Sequence, residues 1–314
     1  AAAQLSALAL GVVFALVVLE RWSRGARRFH HTTGYHRPLP ARHLPGWRAA
    51  AAFGTCFLPV ALGFMVPAAV LANWTLGRSD LVTAGFATLA LNSVGLAAGA
   101  AAIAVALALA IAYAIRLDGG PAVAFAARVA GLGYALPGPV IAVGIMLPFA
   151  WADNRLDDFA RANFGISTGL ILSGTLAAVM LGYVVRFLAV ALNAVESGLA
   201  RVTPNMDGAA RTLGAGPAAT LARVHAPLIA GGLASAAILV FVDVMKELPA
   251  TLLMRPFNFD TLAVRVYQLA SDERLAEAAA PALIIVAVGI VPVILLSRAI
   301  ALARKHKYRV IISH

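Results

Sequence analysis

Three ionisable residues, Asp243, Lys246 and Glu247, stand within one apolar run, about Ile229 to Leu252. A charge at membrane depth is expensive, so such residues face a bundle interior or a wet cavity and mark functional positions. At 100° per residue on a helix, Asp243 and Glu247 lie about 40° apart and Lys246 about 60° to the other side of Asp243, so the spacing predicts one shared face. Two chemistries fit that face. In one, Lys246 neutralises a carboxylate and locks neighbouring helices as an intramembrane ion pair. In the other, the carboxylates line a translocation path, relay protons or offer oxygen ligands to a hard cation.

A second place of interest is Pro137-Gly138-Pro139, which interrupts the apolar run from about Pro121 to Trp151. A helix broken at membrane depth is buried in protein or lines a wet cavity, so this break is a candidate part of the path; a kink absorbed by packing is the competing reading. Tyr183 and Arg186 stand near the end of another run, about Thr168 to Leu192, where Arg186 is expected to snorkel or to pair with a carboxylate such as Glu196. His30, His31, His36 and His43 are close in sequence, but no cysteine or carboxylate joins them, and a solvated loop is the expectation rather than a metal site.

Elements able to hold such residues follow from composition. With 61% hydrophobic and 12% charged residues, the chain is no ordinary soluble domain. Runs of about 20 apolar residues predict an all-α, polytopic membrane protein, because lipid leaves no backbone partner except those within helices or closed barrels. About seven spans are expected. The first, near Leu5 to Leu19, lacks the basic start and small-residue cleavage site of a signal peptide. It leads into an arginine-rich segment, 21 to about 50, that contains no acid. The net charge of +11 sits in loops beside spans, which suits the positive-inside rule and contact with lipid headgroups rather than nucleic acid. The single cysteine, Cys56, can form no internal disulfide. The expected organisation is a first helix and basic cytoplasmic linker (1–50), a six-helix unit (51–302) and a basic cytoplasmic tail (303–314). The segments 153–163 and 254–278 are expected as outside loops, with 193–228 in the cytoplasm. No GxxxxGK[ST] phosphate loop occurs, so ATP binding by this chain is not expected.

A further polar stretch between two apolar spans is Asp207 to Pro227, DGAARTLGAGPAATLARVHAP. It reads as a short helix, Asp207 to about Leu213, stopped by Gly214-Ala215-Gly216-Pro217, and a second run, Ala218 to Val224. The small residues Gly208, Ala209, Ala210 and Gly214, beside Thr212 and Leu213, leave a smooth face suited to a groove on a partner. Gly208-Ala209-Ala210, Gly214, Val224 and Pro227 resemble the EAA loop of ATP-binding-cassette (ABC) importer permeases. The chain departs from that pattern in having Gly208 at the Glu position and Ala226 before Pro227; Asp207, one place earlier, is the candidate replacement carboxylate. The stretches FVDVMKELPATLLMRPFNFDTLAV (241–264) and RVYQLASDERLAEAA (265–279) are most similar to the permeases of ferric-iron importers.

That resemblance implies a type I importer permease, not itself an enzyme, in a bacterial inner membrane with a cytoplasmic C-terminus. It implies a cytoplasmic ATPase dimer carrying ATP and Mg, an external solute-binding protein and a second permease unit. It also implies that this chain is the second half of a fused permease, with no cofactor of its own. It gives 207–214 the role of ATPase coupling. A secondary transporter driven by an ion or proton gradient is the alternative, and thiamine or polyamines are alternative cargoes.

Overall fold

The computed structural model describes residues 43–76, 85–117 and 119–312, with a few isolated positions before them. The first expected span and most of the basic segment, including His30, His31 and His36, lie outside the described residues. Every element among the described residues is helical. Four helices are long and apolar enough to cross a membrane, or up to six if each of two sharply bent pairs is one span. Contacts divide the chain into two units, Ala1–Leu81 and Val82–His314.

The first unit contains α1, Trp47–Leu76. Its hydrogen-bond ladder widens over Ala61–Met65, where the Val66 N–H reaches back to Ala61 O. Pro67 follows, with no N–H of its own and a ring that pushes away the carbonyl four residues earlier, so one extra residue in the turn relieves the clash.

In the second unit the helices are α2 (Phe86–Leu117), α3 (Pro121–Ala130), α4 (Gly138–Phe164), α5 (Leu176–Leu199), α6 (Pro204–Thr212), α7 (Pro217–Leu228), α8 (Ala230–Met245), α9 (Pro249–Met254), α10 (Leu262–Ser271) and α11 (Leu275–Ile312). Helices α2, α5 and α8 pack on one another and form the centre. Ala97, Ala100, Ala104 and Ala108 are fully buried along one face of α2, and this stripe lets neighbouring backbones approach closely. Val179, Tyr183 and Val195 of α5 and Ala236 and Val240 of α8 fill the facing side.

Helix α2 is stitched at both ends. Near its start, Ser93 Oγ accepts the Leu262 N–H at 2.8 Å and Asn92 Nδ2 donates to Asp260 O at 3.1 Å. In its last turn, Tyr113 and Arg116 bond the segment after α5. The two attachments are about 35 Å apart, at 1.5 Å per residue.

Three expectations change. The segment 153–163 is not a loop: α4 continues through it and stops at Gly165, whose left-handed φ of 68° ends the helix with its N–H on Arg161 O. The polar residues that suggested a loop instead tie the following chain down. Buried Asp153 accepts the N–H groups of Ile171, Leu172 and Ser173 at 2.8–3.1 Å, and Asp157 accepts from Ser167, Thr168 and Arg161. That loop carries Gly165-Ile166-Ser167-Thr168-Gly169, the spacing of a nucleophile elbow. It follows a helix rather than a strand, however, and Ser167 Oγ is occupied by Asp157 and Arg161. Second, the apolar run 229–252 is not one helix. Helix α8 ends at Met245 and α9 begins at Pro249, which cannot donate to an ongoing ladder. Third, much of the polar segment 254–278 is helical, as α10 and the start of α11. Thr261 caps α10 by accepting the Val264 N–H.

Candidate functional site

The first site is the hairpin α6–α7. Pro204 at the first position of α6 suits a turn whose N–H groups are unpaired anyway. Gly214, at φ 78°, ends the helix as its composition predicts: the Ala215 N–H bonds Ala210 O at 2.9 Å and the Gly214 N–H bonds Arg211 O at 3.0 Å. Helix α7 starts at Pro217 and widens over Leu221–His225, where the Ala226 N–H reaches Leu221 O. Pro227 lies two residues past this wide turn, as Pro67 does in α1. A 78° bend then joins α7 to α8.

Of the residues expected on a docking face, Gly208, Ala209, Thr212, Leu213 and Gly214 are exposed, and the Leu213 side chain is the most prominent at 87%. Ala210 is not on that face. It is buried against its own chain, because the face of α6 that carries Asp207 and Ala210 turns toward α2 and α7. Asp207 likewise points inward. Its Oδ2 accepts Arg116 Nε at 3.0 Å and Nη2 at 2.7 Å, and its Oδ1 lies 2.8 Å from Nε2 of fully buried His225. Burial alone would raise the Asp207 pKa, but the hydrogen bond and charge of Arg116, with His225, outweigh it and hold the carboxyl below its ordinary value.

Arg116 does more than pair. Nη1 donates to Leu199 O at 3.0 Å, which also accepts the Val202 N–H, and Nη2 donates to Val202 O at 2.9 Å, both where α5 ends. Tyr113, one turn earlier, donates to Pro217 O at 2.9 Å and meets the His225 ring edge-on at 5.4 Å. One turn of α2 thus holds the end of α5, α6 and α7 together. Sequence reasoning missed Arg116, which reads as part of a turn; its only local signal is a basic residue at a helix C-terminus.

The second site is where two helix breaks meet. Between α3 and α4 the chain makes a single tight turn at Gly133–Ala135, then extends through Leu136 and Pro137 with a 119° change of direction. The Pro137-Gly138-Pro139 motif therefore does break a span. The break lies directly on the other elements: a Cβ on Gly133 would sit 1.8 Å from Val185 O, and one on Gly138 would sit 2.9 Å from Glu247 Oε1. At Gly133 the neighbour is backbone, and only glycine permits that approach.

At the second break, Glu247 turns away from Asp243 and Lys246. Its Oε2 lies 3.2 Å from Arg186 Nε, and its Oε1 accepts the Ala250 N–H at 3.2 Å. Arg186 Nη1 donates to Leu136 O at 2.9 Å. Thr251 Oγ1 is 2.7 Å from Glu247 O and 2.6 Å from Tyr183 OH. Arg186 is therefore mid-helix in α5 and neither snorkels nor pairs with Glu196. Its side chain is 19% exposed and that of Glu247 7%. Asp243 and Lys246 pair with each other at 2.9 Å, with Lys246 64% exposed. The predicted single face fails because the helix ends before Glu247.

These geometries can be set beside known proteins. No family model matches the chain. It is 27% identical over 303 residues to the Fe(3+)-transport system permease protein FbpB 2 of Haemophilus influenzae, covering 95% of this chain and 56% of that one. It is 32% identical over 129 residues to the putative 2-aminoethylphosphonate transport system permease protein PhnV of Salmonella typhimurium, covering 41% of this chain and 49% of that one. The chain thus spans about half the length of the curated relatives it matches. Among solved structures it resembles a bacterial ABC transporter involved in import of the acidic polysaccharide alginate (TM-score 0.60, 12% identity, 81% of this chain and 94% of that one). It also resembles the alginate ABC transporter in complex with a pentasaccharide-bound periplasmic protein (TM-score 0.62, 13% identity, 80% and 92%). The chain is an all-α, multi-pass membrane protein with the fold of ABC importer permeases, and in sequence it resembles permeases named for iron and phosphonate transport.

Proposed function

We propose that the chain is a membrane-spanning permease subunit of an ATP-driven importer in a bacterial inner membrane, with ferric iron as its cargo. The observation that carries this reading is the 27% identity to an Fe(3+)-transport permease over 95% of the chain. In this reading the hairpin 204–228 and the basic C-terminal tail face the cytoplasm, and the exposed residues Gly208, Ala209, Thr212, Leu213 and Gly214 enter a groove on an ATPase dimer, which holds ATP and Mg. The chain works with a second permease unit and receives cargo from an external solute-binding protein. The meeting of the two helix breaks at Arg186 and Glu247 is the proposed gate region of the path, because irregular backbone at membrane depth is tolerated where it is packed in protein or lines a cavity. Asp243 and Lys246 form an ion pair beside it.

The test is reconstitution of the complete transporter in proteoliposomes with its neighbouring ATPase and binding protein. Uptake of ferric iron that requires ATP and the binding protein is expected. Iron uptake that persists without any ATPase would overturn the ATP-driven reading in favour of an ion gradient. The partial match to a phosphonate permease supports a second cargo reading, and ATP-dependent uptake of 2-aminoethylphosphonate in place of iron would establish it.

A further inference from the structure

We infer that Arg116, which lies outside the hairpin, is a positioning residue for coupling: it fixes the angle at which α6 presents its exposed face. The inference rests on the proposed function in one respect only, that the exposed face is gripped by an ATPase.

The geometry separates the two faces of α6 by role. Outward are Gly208, Ala209, Thr212 and Leu213, with no bond from these side chains to another element except within the hairpin itself. Inward is Asp207, the residue through which α6 is tied to α2 and α7 by side-chain bonds. Asp207 is thus the side-chain route by which a push on the outer face reaches the membrane helices, beside the packing of Ala210 and the backbone on either side. Its principal partner is the Arg116 guanidinium, which at the same time holds Leu199 O and Val202 O. A planar fork with five donors can serve a carboxylate and two carbonyls together; an ammonium at the same place is a single point that cannot. Arg116 thus fixes the direction of α6 relative to the last turns of both α2 and α5. Loss of the fork frees α6 to pivot against α7 at the glycines 214 and 216 while the core, built from α2, α5 and α8, keeps its packing.

Two measurements test this on the full chain. The first needs no partner: spin labels at Leu213 and Leu91, both exposed, on a Cys56→Ser background in nanodiscs, report the hairpin's distance from the far end of α2. A narrow distribution is expected for the parent, and a broad or shifted one for Arg116→Lys. The second uses the reconstituted transporter. Arg116→Lys is expected to copurify with the ATPase while stimulation of ATP hydrolysis by the loaded binding protein falls about fivefold or more. If Arg116→Met does not fold, Arg116→Lys and Asp207→Asn carry the test. Unchanged distances in the lysine variant overturn the inference, whatever the ATPase does. Normal stimulation with broadened distances overturns the link to coupling. A changed distance with a parent that responds to no ATPase keeps the positioning role and rejects the proposed function instead.

Discussion

The hairpin and the membrane interior are each held by an arginine that meets a carboxylate and donates to a backbone carbonyl, yet the two arrangements differ in what stands behind them. Arg116 and Asp207 are 19% and 21% exposed, and the carbonyls they serve are helix-end groups beside a polar loop. Water can replace some of those bonds. Arg186 is as exposed as Arg116, at 19%, but Glu247 is only 7% exposed and lies against the backbone of Gly138. A Glu247 carboxylate left without Arg186 therefore stays largely desolvated. Similar chemistry therefore serves orientation at the edge and integrity in the interior. Distance from the aqueous boundary decides which.

The sharpest way to break this comparison is to cut the interior pair. Arg186→Met or Glu247→Leu alone is expected to destabilise the protein by about 3–5 kcal/mol, and the double variant should recover much of that loss. Thermal unfolding in a fixed detergent reads both; single variants as stable as the parent would show that the pair is not buried in the assembled protein. Next in size is Gly133→Ala, which places a Cβ on the Val185 carbonyl and is expected to cost about 1–3 kcal/mol through displaced backbone. Gly144→Ala, where nothing lies within 4 Å, is the control and should be near neutral. Smaller again is Lys246→Met. Because Lys246 is 64% exposed and bonds Asp243 rather than Glu247, about 1 kcal/mol or less is expected, well below the interior pair. A loss as large as that of Arg186→Met would place Lys246 in a buried network after all.

The mildest test is pH. The folded-state pKa of Asp207 is lowered, so its contribution is complete above the unfolded pKa of about 4 and is lost as pH falls through the folded value. Protection against amide exchange in 204–228, measured against the intrinsic rate at each pH, should therefore fall on acidification below about pH 4, before protection in α2 does. The reverse order would mean that the hairpin is held by something other than Asp207.

Features governed by neighbours along the chain were legible beforehand. The stop at Gly214 and the break at Pro137-Gly138-Pro139 follow from backbone chemistry within a few residues. The ion pairs were not legible. Arg116 and Asp207 are 91 residues apart, and nothing local distinguishes Glu247 or Glu196 as the partner of Arg186. One error was avoidable: Pro249 marks a new helix start, which should have kept Glu247 off the face shared by Asp243 and Lys246. The other, reading 153–163 as a loop, confused polarity with irregularity. Asp153 and Asp157 are polar because they bind the backbone of 168–173, and a helix carries them well.

Helix α2 is joined to Leu262 and Asp260 near one end and to the hairpin at the other. A stiff strut pinned at two points cannot slide along its own axis without breaking one pin. The two pins therefore put the hairpin and the 255–262 loop on the two ends of one helix, about 35 Å apart.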